Sequence, residues 1–255
     1  EVAKKLGGKG SIHVQHEALG TAHAIYQAKQ ALTGNVIIAF ADTLFRADFI
    51  LDASVDGTIW VKEVEDPRAF GVVQLDSAGV IEDFVEKPEN PESNLAIIGI
   101  YYFKNGDALK AEIEHLLENN ITEKGEFQLT NALDNLKNKG AKFVPGEVLE
   151  WWDCGNKNAT VNTNQRVLAN AKESLVAKSV MLENSEIIEP CFIGENVKLK
   201  NTKVGPYVSI GNNTEILDSV ITNTIIQTNS YIANATITNS MIGNQAHYDG
   251  SANEV

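Results

Sequence analysis

The chain has 255 residues, 43% hydrophobic and 22% charged, which gives room for one large domain or a medium one with an appendage and rules out a mainly disordered polypeptide. A net charge of −13 argues against sequence-independent binding to nucleic acid or to an anionic membrane. No run approaches the roughly 20 apolar residues of a membrane-spanning helix, and two cysteines, Cys154 and Cys191, make neither a disulfide framework nor a four-cysteine zinc site. The expectation is a reduced, cytoplasmic protein. The opening EVAKKLGGKG without Met, and the close at SANEV after an unfinished repeat, read as a fragment at both ends.

In chain order, SIHVQ (11–15) is a predicted short strand and TAHAIYQAKQAL (21–32) a helix, with Thr21 placed to cap it. NVIIAFAD (35–42) is a continuous apolar run ending in an acid, the pattern of a strand buried on both faces. TIWVKEV, GVVQLD and VIEDFVEKP follow, the last two joined by a turn at Ser77–Gly79 into a hairpin. LAIIGIYYF (95–103) is a further strand. DALKAEIEHLLEN and FQLTNALDNLKNKG are helices, the second closed by Gly140. A last strand runs into EVLEWWD, and the polar helix NATVNTNQRVLANAK leaves the domain. Strands alternating with helices imply an α/β fold with a mostly parallel sheet and helices on both faces.

From about residue 179 the pattern changes. Blocks aligned on Ile193 read IGENVKLKNTKVGPYVS, IGNNTEILDSVITNTI, IQTNSYIANATITNSM and IGNQAHYDG, with Ile or Val at every fifth or sixth residue. Three short strands per block make one triangular coil of a parallel β-helix, whose stacked aliphatics fill the core. Asn at the corners suits left-handed backbone positions. A β-sandwich of short strands is the alternative, against which the regular I-G-x-N register argues.

Ligands of α/β sheets sit at the carboxyl ends of strands, where Asp42 (after VIIAFA) and Asp153 (after VLEWW) stand. Two carboxylates there suit a hard, oxygen-seeking Mg²⁺ rather than zinc; each acid alone fits a helix or turn cap equally well. In QHEALGTAHA (15–24), Gly20 lets backbone approach a ligand closely, and the helix beginning at Thr21 offers free amides to a phosphate or base. An ordinary strand–turn–helix reads the same way. In VEKP, Glu86 can accept hydrogen bonds from sugar hydroxyls and Lys87 can offset a phosphate; most exposed Glu–Lys pairs do neither.

Taken together, QHEALGTAHA, GNVIIAFAD, AFGVVQLDSAGVIEDFVEKPENP, NLAIIGIYYF, KGEFQLTNAL and EWWDCGN stand in the order and spacing of sugar-1-phosphate nucleotidyltransferases. The chain resembles the glucose-1-phosphate thymidylyltransferase-like members with a C-terminal left-handed β-helix. The resemblance implies a Rossmann-like nucleotidyltransferase domain over 1–175, lacking its N-terminal portion, and a left-handed β-helix over 176–255. It implies Mg²⁺-dependent transfer between a nucleoside triphosphate, with dTTP, UTP and others open, and glucose-1-phosphate; the flat, repetitive faces of the β-helix favour pairing of identical subunits into a homo-oligomer. By the same resemblance Gln15, Gly20 and Thr21 lie at the nucleotide, Asp42 and Asp153 hold Mg²⁺, and Gly71, Glu86 and Lys87 hold the sugar and its phosphate. Ile97 and Tyr101 would line the sugar pocket, with Lys124 near it.

Three departures stand out. Ala41 occupies a position where relatives commonly carry Gly, and Lys124 one where some carry Arg, which loses bidentate phosphate geometry. The family's glycine-rich triphosphate loop has no match; LGGKG (6–10) lacks the preceding strand and following helix that such a loop requires. These 255 residues by themselves are therefore expected to be inactive. Two rival readings are an acyltransferase built on the β-helix, with His247 as the base, and a non-catalytic regulatory or scaffold homologue.

Overall fold

The computed structural model describes residues 7–47, 51–52 and 54–253. The chain forms two compact units, Glu1–Trp151 and Trp152–Val255.

In the first unit a six-stranded sheet is built from β1 (Val36–Ala39), β3 (Gly57–Glu63), β4 (Gly71–Leu75), β5 (Ile81–Glu86), β6 (Leu95–Phe103) and β7 (Phe143–Glu147), in the order β5-β4-β6-β3-β7 with β1 also on β6. A short strand, β2 (Thr43–Arg46), lies outside that sheet. β1, β3, β4 and β7 point one way, as the strand–helix alternation anticipates. Because β6 runs against them between β3 and both β1 and β4, the ladders themselves are antiparallel except β3–β7. A mostly parallel sheet thus holds for strand direction and not for pairing. The predicted hairpin turns where expected: Asp76 Oδ1 accepts the amides of Ala78 and Val80, and Gly79 takes a positive φ of 76°. Helices α1 (Thr21–Tyr26), α2 (Gly106–Glu118) and α3 (Leu129–Asn138) all pack on the face carrying Ile59, Tyr101 and Phe103; the opposite face, with Trp60, Ile98 and Tyr102, meets Phe45, Val148 and Trp151 instead, so the expected helices on both faces are found on one among the described residues. Leu109, Ile113 and Leu116 of α2 and Leu129, Leu133 and Leu136 of α3 recur at the three-to-four-residue helical period and enter the same buried core as Ile59, Val73 and Phe103.

Several expectations change here. Residues 11–15 form no strand: among the described residues no ladder reaches them, and Ile12 is 81% exposed. The helix predicted over 21–32 stops at Tyr26, and a 3₁₀ turn at Lys29–Ala31 follows. β1 is not buried on both faces. Val36 and Ile38 pack on the core while Ile37 is 58% exposed, because only one face of this strand is covered among the described residues. The strand expected to run into EVLEWWD is two, β7 and β8 (Glu150–Asp153), separated by Val148 and Leu149.

The second unit is a parallel β-solenoid with three faces, entered through α4 (Lys157–Ala169). Its first strand is Leu175–Val176. Neighbouring coils pair 17 residues apart at Ile193↔Ile210 and 16 apart at Ile210↔Ile226. The aliphatic spacing of five or six residues places one inward residue on each face per coil. Ile193, Ile210, Ile226 and Ile242 stack on one face, Leu199, Ile216 and Ile232 on the second, and Val204, Ile221 and Ile237 on the third. This is the triangular core read from the repeat, and it is consistent with the left-handed form.

The corners behave as anticipated. Asn184, Asn196, Asn201, Asn213, Asn223, Asn229, Asn234 and Asn239 all have φ between 41° and 58°. Their amides also form ladders between coils: Asn196 Nδ2 donates to Asn213 Oδ1 at 3.1 Å, and Asn213 Nδ2 to Asn229 Oδ1 at 3.2 Å. Asn tolerates the left-handed conformation that costs other residues about 1–2 kcal/mol, and the ladder satisfies its side chain as well.

Candidate active site

The residues expected at the sugar gather on the β4–β5 hairpin. Antiparallel register sets Gly71 opposite Glu86. A Cβ at Gly71 would lie 3.1 Å from Glu86 Oε2, 3.2 Å from Thr130 Cγ2 and 3.3 Å from Ile97 Cδ1, so the missing side chain leaves the space these three groups surround. The Glu86 side chain is only 10% exposed. Burial pushes its carboxyl above the ordinary carboxylate range; a hydrogen bond from Thr130 Oγ1 at 3.1 Å and the positive charge of Lys87 pull the other way. Lys87 Nζ stands 3.9 Å from Glu86 Oε1 and remains half exposed. Lys87 has φ 43°, and its amide donates to Phe70 O at 3.1 Å, which turns the chain before Pro88. Lys124 Nζ donates to the carbonyls of Lys87 and, at 3.4 Å, Glu86.

Tyr101 is buried on β6, its ring 5.6 Å from that of Phe40. Burial first, then the negative charges of Glu86 and Asp42, raise its phenol strongly, so it stays a neutral donor at any physiological pH. Gly71, Glu86, Lys87, Ile97, Tyr101 and Lys124 therefore gather around one place, with Asp42 close enough to act on Tyr101.

The residues expected at the nucleotide form a separate turn. Gln15 Nε2 donates to Gly20 O at 3.1 Å and lies 3.0 Å from His23 Nδ1. Gly20 (φ 109°, ψ 175°) is the N-cap of α1 and makes no side-chain cap bond. The Leu19–Ala22 backbone pairs with Phe127: its amide donates to Leu19 O at 2.8 Å, and its carbonyl accepts from Ala22 N at 2.9 Å. The expectation that Thr21 caps its own helix is corrected. Its hydroxyl accepts the Leu129 amide at 2.9 Å and donates to Gln128 Oε1 at 3.3 Å, so it caps α3 instead. A cap contributed from 108 residues away leaves no local sequence signal.

Asp42 is exposed in the turn following β1, in the first unit. Asp153 belongs to the second unit, where its Oδ1 accepts the Gly155 amide at 2.8 Å and its carbonyl accepts from Thr163 Oγ1 at 2.6 Å. Asp153 thus performs the turn-capping role open to it from sequence. Among the described residues no group of three or more His, Cys, Asp or Glu side chains is placed to hold a metal. Each acid offers carboxylate oxygens, a donor type that fits Mg²⁺ completed by water and phosphate oxygens. Thr130 and Gln128, inside KGEFQLTNAL, were not singled out from sequence; a Thr and a Gln at the start of a helix read as ordinary helix-entry residues.

One consequence concerns stability. A carboxyl raised by burial favours the folded state when protonated, so ionised Glu86 carries a cost at neutral pH that disappears below its ordinary range. Glu86→Gln is expected to raise the thermal midpoint at pH 7 and to lose that gain as the pH falls below that range, while weakening sugar binding. A midpoint lowered at pH 7 would show that the ionised carboxylate stabilises the fold.

A nucleotidyl transferase family model matches residues 2–170. A glucose-1-phosphate thymidylyltransferase of Streptomyces antibioticus is 29% identical over 258 residues, covering 90% of this chain and 70% of that protein. The bifunctional protein GlmU of Methanococcus aeolicus is 33% identical over 177 residues, covering 67% of this chain and 41% of that protein. A glucose-1-phosphate adenylyltransferase of Desulfitobacterium hafniense is 31% identical over 218 residues and is spanned to 53% of its length. Among solved structures, a UDP-glucose pyrophosphorylase complexed with UDP-glucose superposes with a TM-score of 0.50 at 21% identity, over 62% of this chain and 65% of that one, a likeness of fold. The Rossmann-like sheet followed by a β-solenoid and the match over two-thirds of the sequence agree: this chain belongs to the nucleotidyl transferase family.

Proposed function

We propose that the chain is the body of a sugar-1-phosphate nucleotidyltransferase that joins glucose-1-phosphate to dTTP or UTP, giving the nucleoside diphosphate sugar and pyrophosphate. The observation that carries this reading is the convergence of Glu86, Lys87, Lys124, Gly71, Ile97 and Tyr101 on the sugar side. A sugar-phosphate oxygen attacks the α-phosphorus, the new P–O bond forms in line, and the bond to the β-phosphate oxygen breaks as pyrophosphate leaves. Such chemistry asks mainly for positioning and charge neutralisation. Glu86 accepts hydrogen bonds from sugar hydroxyls, Lys87 offsets the sugar phosphate, Lys124 braces the Glu86–Lys87 turn, and Ile97 with the Tyr101 ring shields the pocket from water. Gln15, Gly20 and Thr21 receive the nucleotide base. Asp42 and Asp153 would hold Mg²⁺, which when bound draws the anionic oxygens together and neutralises their charge.

On this reading residues 1–255 alone do not turn over, because no segment among them is a triphosphate-binding glycine loop. The solenoid serves assembly of identical subunits, a role supported by the exposed Leu175, Phe192 and Met241 on one face. No helix of the described residues is long and apolar enough to cross a membrane, and cytoplasmic residence rests on the cysteine usage alone. Acyl transfer is disfavoured because His247 is exposed and stacks on Tyr231 with ring centroids 4.8 Å apart. The test is calorimetric titration of the chain with UDP-glucose, dTDP-glucose and glucose-1-phosphate. Micromolar to millimolar binding of a nucleoside diphosphate glucose, weakened by Lys87→Ala, is expected. Binding of none of the three would overturn the assignment.

A further inference from the structure

The two halves of the candidate site come from segments far apart in sequence, yet both are tied to one stretch, Glu126–Thr130, at the entry to α3. Gly20 lies against the Phe127 backbone so closely that a Cβ there would be 2.5 Å from Phe127 O. Thr21 Oγ1 accepts the amide of Leu129, one of the amides a helix start leaves without an internal partner, and gives its single proton to Gln128 Oε1. Gln128 is only 5% exposed and donates from Nε2 to Glu126 Oε2 at 2.9 Å. Two residues after Gln128, Thr130 is 6% exposed and spends its one hydroxyl proton on Glu86 Oε2. A chain of side-chain and backbone hydrogen bonds therefore runs from the nucleotide-side turn, through the first turn of α3, to the sugar-side carboxylate.

We propose that the first turn of α3 is a bracket between the two half-sites, with Thr130 and Thr21 as its positioning residues. Thr130 holds Glu86 in the orientation that meets the sugar, and Thr21 fixes the turn carrying Thr130 to the nucleotide-side loop. The proposal rests on the assignment of Glu86 to the sugar made above. Its consequence is that a substitution on the nucleotide side weakens the sugar side without touching it. Around Glu86 the charged and titratable neighbours are Lys87 just after β5, Lys124 and Glu123 before α3, and Tyr101 on β6. Lys87 and Lys124 favour the carboxylate and Glu123 opposes it, so loss of the Thr130 hydroxyl leaves the balance shifted toward the protonated acid.

The test is titration with glucose-1-phosphate and, separately, with inorganic phosphate, which engages the lysines and not Glu86. Thr130→Val keeps the side-chain shape and removes the proton donor; it should weaken glucose-1-phosphate about tenfold and leave inorganic phosphate unchanged, an effect of one hydrogen bond to a charged group. Thr130→Ser should stay within about twofold of the unaltered protein, since the hydroxyl is restored. Thr21→Val should weaken glucose-1-phosphate by roughly threefold or more. The double variant should lose less than the product of the single effects, because the residues act through one bracket. On acidification, glucose-1-phosphate affinity should fall away at a higher pH in Thr130→Val than in the unaltered protein, a displacement that general loosening of the fold does not produce. Equal losses for both ligands, or unchanged glucose-1-phosphate affinity in Thr21→Val, would overturn the bracket while leaving the sugar-side assignment in place. If the unaltered protein binds neither ligand, that assignment falls and the bracket with it.

Discussion

Asp42→Ala, made in a form of the protein that turns over, is expected to lower kcat by about 10² to 10³-fold while the thermal midpoint hardly moves. The magnitude follows from losing one group that fixes charge-neutralising chemistry at the reacting phosphates, an effect of about 3–4 kcal/mol in comparable sites. The unchanged midpoint follows from position. Asp42 is exposed, lies beyond the end of β1 at Ala39, and its removal leaves no buried group unpaired; surface substitutions of this kind stay within about 0.5 kcal/mol. Asp153→Ala separates the metal role proposed for Asp153 from the turn it caps. It should cost a similar factor in kcat and, in addition, about 1 kcal/mol of stability, because Oδ1 no longer accepts the Gly155 amide. Steady-state kinetics with a melting curve for each variant decides the matter, and turnover unaltered in Asp42→Ala would remove this residue from the metal site.

Gly20→Ala is expected to destabilise the first unit by about 2–4 kcal/mol and to abolish nucleotide binding. Two causes add. The backbone at φ 109°, ψ 175° lies in a region that essentially only glycine occupies. The new methyl would also sit 2.5 Å from Phe127 O and 2.7 Å from Phe127 N, which are backbone atoms held by hydrogen bonds and unable to swing aside. Relief requires parting the Leu19–Phe127 and Phe127–Ala22 bonds, and with them the turn that presents Gln15. Thermal denaturation reads the first effect and nucleotide titration the second; a midpoint equal to that of the unaltered protein would show that this turn adjusts freely.

Where short-range pattern decides structure, the sequence was sufficient. The turn at Ser77–Gly79 is one such case, since Asp76, Ala78 and Gly79 carry their own turn chemistry within five residues. LAIIGIYYF is another: nearly every residue of this central strand is buried, so its apolar run has the same length as the strand. The apolar run NVIIAFAD has the same look and a different outcome, because burial of a strand's second face depends on what another segment lays against it. SIHVQ failed for a related reason. A strand exists only when a partner offers its backbone, and none of the described residues pairs with 11–15.

The solenoid, its three aliphatic stacks and its Asn corners can be read directly from the residue pattern, since each coil contacts only its neighbours and the repeat writes that contact 16 or 17 residues away. The family is legible there too, through six motifs in order. Folding alone sets β6 against the strands it joins, makes Thr21 the cap of α3 rather than α1, and brings Thr130 to Glu86 from 44 residues away. The physical reason is the same in each case. A hydroxyl or a strand edge has no preference in sequence for its partner, and the partner is chosen by which surfaces the packing of the core brings within hydrogen-bond reach.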